Sequence, residues 1–89
     1  MTKTDVISKI DSISFYQNRY IHTGAFNLCE AILREKHFSK NIKLKVQKIK
    51  TELEGLSEPW GYWENNSYPN QNTLNSVQDC LNALYRLME

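Results

Sequence analysis

Residues that punctuate or staple a fold are scarce in this chain. Its 89 residues include three glycines, two prolines and two cysteines. Two cysteines exclude a disulfide-rich scaffold, and they form no CxxC pair. Cys29 and Cys80 each sit inside an apolar pattern of helical period, so both are expected to be buried thiols that act as small hydrophobes. No apolar run approaches the roughly 20 residues that span a bilayer. The start, Met1-Thr2-Lys3-Thr4-Asp5, is polar and is followed by no apolar stretch of signal-peptide type. The expected location is therefore cytoplasmic, with no membrane association.

Signatures of catalysis are also missing. The chain has no P-loop, no dinucleotide-binding glycine motif, no nucleophile elbow and no HExxH. His22 and His37 are fifteen residues apart, with no cysteine or acid at metal-ligand spacing. Asp11, Glu30, Glu52, Glu54 and Asp79 are scattered, without the repeated ExxH of di-iron helical proteins. These absences argue against an enzyme and against a metal or other cofactor. Net charge is small as well, at +1.

What remains is a chain that can fold. Apolar residues make up 40 % and aromatics 11 % of it, enough for a core. A chain of this length is read as one helical domain, residues 1–89, burying roughly 60 % of its unfolded surface.

Four apolar stripes step by threes and fours. The first runs from about Lys3 to Ile21 through Val6, Ile10, Ile13, Tyr16 and Tyr20, widened by Ile7 and Phe15. Thr2 and Asp5 suggest a capping box at its start. His22-Thr23-Gly24 reads as a stop and restart, with Gly24 suited to the left-handed conformation that ends a helix. The second helix is expected from about Gly24 to His37, with Ala25, Phe26, Cys29, Ile32 and Leu33 on its apolar face and Leu28 beside it.

Ser39 or Asn41 then caps a third helix, with Ile42, Val46, Ile49, Leu53 and Leu56 as its seam and Gly55 near its end. Ile42 to Val46 also alternates apolar with polar, as a short strand would, but the helical template covers more positions. Asn72 or Thr73 starts the fourth helix, with Leu74, Val77, Leu81, Leu84 and Met88 in steps of 3, 4, 3 and 4. The third and fourth seams match in length and predict an antiparallel pair. The fold class expected is all-α: a small three- or four-helix bundle with a long aromatic loop before the C-terminal helix.

That loop, Leu56 to Asn72, is the compositional outlier. It holds both tryptophans, two tyrosines, both prolines and four asparagines. A connection this long between helices is uncommon and tends to be functional or disordered, and its aromatics argue against disorder because they supply burial area. Trp60, Tyr62, Trp63 and Tyr68 are candidate anchors of a protein interface, because Trp and Tyr carry large area on few rotors. Glu58 and Glu64 beside them would steer a basic partner and repel phosphates. Trp60, Tyr62 and Trp63 also suit a lid folded back on the bundle's end, with Pro59 starting a turn and Gly61 permitting a tight bend.

A second candidate region is basic. Arg34, Lys36, Lys40, Lys43, Lys45, Lys48 and Lys50 stand against one acid, Glu35, for a local net of +6. The rest of the chain holds four basic and nine acidic residues, or −5. Such a stretch suits an anionic partner, nucleic acid or an acidic protein. At about 100° per residue, Lys43 and Lys50 fall on one side of the apolar seam and Lys45 and Lys48 on the other, and Lys48–Glu52 and Lys50–Glu54 can pair at i,i+4. Leu44 falls about 200° from Ile42, away from the core, and together with Leu28 would mark a helix–helix interface.

The size and helical layout resemble those of small inhibitor and immunity proteins, which act by binding another protein. The leading expectation is a non-enzymatic protein-binding module of that kind, or a small regulator, acting through the aromatic loop. The alternative is a nucleic-acid-associated regulator using segment 34–50. A homo-oligomer is compatible with either.

Overall fold

The computed structural model describes residues 1–16, 19–56 and 71–89, with Arg19 described in its backbone only. Among them are four helices and no strands: α1 (Lys3–Ile13), α2 (Arg19–Arg34), α3 (Lys40–Gly55) and α4 (Gln71–Met88). The alternating stretch Ile42 to Val46 lies within α3, so helical period prevails over strand period there.

α1 begins with the capping box read from the sequence. Thr2 Oγ1 accepts the Asp5 N–H at 3.1 Å, and an Asp5 carboxylate oxygen accepts the Thr2 N–H at 2.8 Å. Together these satisfy two of the N–H groups that a helix start leaves unpaired.

The helix ends at Ile13, not at Ile21 as the stripe suggests. A run of serines, weak helix formers, lies where it ends. Ser12 Oγ turns back to donate to the Ser8 carbonyl at 3.2 Å, a competing local bond that weakens a helix. Phe15 and Tyr16 then donate to Ser12 and Ile13, a tight i→i+3 pattern that closes the last turn. Phe15, Tyr16 and Tyr20 consequently leave the stripe and are 87 %, 50 % and 54 % exposed.

α2 starts earlier than expected and runs straight through His22-Thr23-Gly24. Gly24 is not a left-handed stop, since no described glycine has positive φ. Its role is close approach: a Cβ placed there would lie 3.0 Å from Ile13 Cγ1 and 3.2 Å from Cγ2. The end of α1 therefore packs directly on the α2 backbone. α2 stops at Arg34, leaving His37 in the turn that follows. Leu28, read as peripheral, is buried with Ile21, Ala25, Cys29 and Ile32, whereas Phe26 and Leu33 are only partly buried.

Phe38 in the α2–α3 turn is buried as well, although no helical period marks it. Ser39 caps α3, its Oγ accepting from the Ile42 N–H at 3.2 Å. α4 carries Leu74, Val77, Cys80, Leu81, Leu84 and Met88 in the core, and it starts at Gln71, so Asn72 and Thr73 lie within its first turn.

Cross-helix contacts fix the arrangement. The Met1 ammonium before α1 meets Glu35 beyond α2 at 2.9 Å. His22 Nε2 donates to the Leu53 carbonyl at 2.6 Å, so the start of α2 meets the end of α3. Cys80 reaches Glu52 at 3.7 Å, and Gln78 Nε2 reaches Ser14 Oγ at 3.4 Å. Each described helix thus runs antiparallel to the next described one, and α4 also lies against α1. Val6, Ile10, Ile32, Val46, Leu53, Val77, Leu81 and Leu84 join the four helices in one connected core. Burying each such side chain stabilises by roughly 1.5–3 kcal/mol. Both cysteines are free and buried. No described helix is long and apolar enough to cross a membrane.

Candidate functional site

Of the two regions singled out in the sequence, one can be built in atomic detail. Glu58, Trp60, Tyr62, Trp63, Glu64 and Tyr68 lie outside the described residues. The residues that bracket them do not. Leu56 follows α3 and lines a groove with Ser76 and Ala83 of α4. Leu56 and Gln71, which bracket segment 57–70, therefore lie at the end where α2 starts, α3 stops and α4 starts.

That end of the molecule carries aromatic surface of its own, from residues that the apolar stripe places in a core. Phe15 is almost fully exposed, and the Tyr16 and Tyr20 rings meet edge-on with centroids 6.1 Å apart. Next to them His22 lies roughly parallel to Phe26, centroids 6.4 Å apart and planes 14° apart. His22, Thr23, Phe26, Asn27 and Glu54 line an open groove of about 370 Å³. The hint of this surface in the sequence is the serine run at 8, 12 and 14, which lowers helix propensity just before the aromatics.

The basic region divides as helical geometry requires. Lys43 and Lys50 are partly buried on one flank of α3, and Lys50 Nζ sits 5.4 Å from the Phe26 ring centroid. Arg34, Lys36, Lys40, Lys45 and Lys48 are exposed. Arg34 Nε bonds back to the Glu30 carbonyl at 3.3 Å, which occupies one of the guanidinium donors of the only arginine in the group. None of the seven forms an ion pair with a described acid; the described pairs join the Met1 ammonium and His37 to Glu35. The Lys48–Glu52 pairing expected from spacing does not form, and Glu52 instead accepts the Cys80 thiol. Leu44 is 60 % exposed, and Leu28 does not join it because Leu28 is in the core.

α3 also reverses the usual arrangement of charge on a helix. Its first turn holds Lys40 and Lys43 with no acid, and its last turn holds Glu52 and Glu54 with no base. The helix dipole favours the opposite, by about 0.3–1 kcal/mol per charge. The other helices either comply at one end or are neutral there.

The thiols are chemically quiet. Burial, followed by the neighbouring Cys80, pushes Cys29 up to about 12. Burial, followed by the Glu52 carboxylate, pushes Cys80 up to about 11. At neutral pH neither is a thiolate, and the thiolate is the nucleophilic and metal-binding form. Among the described residues no polar or charged side chain is buried, and no three His, Cys, Asp or Glu gather as metal ligands. No protein family, curated protein or solved structure matches the chain.

Proposed function

We propose that this chain is a non-enzymatic, cytoplasmic protein-binding module: a four-helix bundle that presents aromatic side chains at one end to another protein, as a small inhibitor, immunity protein or regulator would. The observation that carries this reading is the exposure of Phe15, Tyr16 and Tyr20 at the end where segment 57–70 leaves α3 and enters α4. Phe15, Tyr16 and Tyr20 with the four aromatics of that segment make up seven of the chain's ten. Aromatic side chains outside a core are what protein interfaces use as anchors. Trp60, Tyr62, Trp63 and Tyr68 supply the anchors, with Phe15 and Tyr16 extending the patch. Glu58 and Glu64 favour a partner with basic residues at the rim of its site. No cofactor is required.

The test is affinity capture from cells that produce the protein, comparing wild type with Trp60→Ala/Trp63→Ala and with Phe15→Ser/Tyr16→Ser. Wild type should enrich one partner, and either pair should reduce that enrichment at least about tenfold, with cooperative thermal unfolding retained. Capture that persists unchanged in both variants would rule the reading out.

The nucleic-acid alternative keeps one supporting observation, the five exposed cations of segment 34–50 without acidic partners among the described residues. It is weakened by the single arginine, since bidentate base readout relies on that residue type, and by the partial burial of Lys43 and Lys50.

A further inference from the structure

The outer side of α3 is a second surface, distinct from the aromatic end. Lys40, Leu44 and Lys48 are four residues apart and form one ridge along the helix. All three are exposed, as is Lys45 on the next row. Around them Asn41, Gln47 and Thr51 are exposed and uncharged, and no acid occurs from residue 36 to residue 51.

A helix face whose charges served only solubility or stability would mix signs at i,i+4 and place its acids first and its bases last. α3 does neither. Its lysines crowd the end that disfavours cations, and they lack ion-pair partners among the described acids. Lys50 packs over the Phe26 ring, but no described ion pair gives the exposed lysines a role in the fold, so their pattern points outward.

We infer that the Lys40–Leu44–Lys48 ridge docks an acidic, amphipathic segment of a partner protein, with Leu44 as the apolar anchor and the lysines as the charged rim. Charge complementarity selects an anionic occupant. Leu44 selects protein over nucleic acid, because a phosphate backbone offers an apolar side chain no counterpart, whereas a protein interface has an apolar centre ringed by polar groups. Lysine in place of arginine fits the same choice: point charges meet carboxylates without demanding planar, bidentate geometry.

The experiment uses the full chain and two labelled probes, read by fluorescence anisotropy. One is a synthetic helical peptide of about 20 residues with leucines on one face and glutamates on the other. The other is a mixed-sequence DNA duplex of similar length. The peptide should bind, Leu44→Ser should weaken it about tenfold, and Lys40→Glu should weaken it in a salt-dependent way. Lys40→Glu should at the same time raise Tm by about 2–4 °C, since an acid in the first turn suits the dipole. That gain separates loss of a docking charge from loss of structure. Peptide binding indifferent to Leu44→Ser would overturn the inference. So would tighter binding of the duplex than of the peptide, which would give the surface to nucleic acid. Neither result bears on the aromatic end, which the variants leave untouched.

Discussion

At the scale of single residues, the two described glycines have opposite roles. Gly24 sits in mid-helix, where glycine costs roughly 0.5–1 kcal/mol relative to alanine. It is retained because Ile13 occupies the space a Cβ would need, with three of its atoms within 3.4 Å. Ile13 is β-branched and stiff at χ1, so it cannot swing away without cost. Gly24→Ala is predicted to destabilise by about 1 kcal/mol net, as overpacking outweighs helix propensity. Adding Ile13→Ala should recover part of the loss, a favourable coupling that a double-mutant cycle in urea would measure. At Gly55, by contrast, an added Cβ would meet nothing within 4 Å, and the backbone φ is not positive. Gly55→Ala should therefore stabilise by about 0.4–1 kcal/mol. From sequence both glycines read as helix stops. The distinction is invisible there because it depends on which side chain from another helix faces each backbone.

At the scale of elements, what is legible in the sequence follows the length of the apolar pattern. α4 repeats its seam over five positions and lies where the sequence puts it, within a residue or two at its start. α3 is similar, and its Ser39 cap is one of the two candidates. The α1–α2 boundary is not legible, since Tyr16 and Tyr20 continue the apolar step into a second helix and only the low helix propensity of the serine run hints at a break. Phe38 escapes detection because a buried turn residue carries no period.

The α1 cap offers an element-level test. Hydrogen bonds from the Thr2 backbone and side chain hold the Asp5 carboxyl below its usual 3.8. Its contribution is present above that value and is lost as pH falls through the lower, folded value. Thr2→Ala should cost about 1 kcal/mol near pH 7. The difference between Asp5→Asn and wild type should shrink as unfolding is followed down to about pH 3.

At the scale of the molecule, the four described helices share one core, and the two thiols report on its integrity. Cys29 and Cys80 should resist an aromatic disulfide reagent at about pH 8 in the folded protein and react together once denaturant unfolds it. Because burial raises both above their ordinary 9.0, to about 12 and about 11, their contribution to stability is intact below about pH 9. It is lost as pH climbs through the folded values. Rapid reaction of either thiol without denaturant would mean that the core opens locally.

Composition alone makes the aromatic segment conspicuous. The fold brings the exposed Phe15, Tyr16 and Tyr20 to the end of the molecule where α3 stops and α4 starts. The most direct measurement of the proposed interface uses the fact that Trp60 and Trp63 are the only tryptophans. Intrinsic tryptophan emission therefore reports segment 57–70 alone. Titrating the protein with its captured partner, itself freed of tryptophan, should shift the emission to shorter wavelength and saturate at a fixed stoichiometry as the indoles leave water. Saturating complex formation with the emission unchanged would contradict the proposed interface.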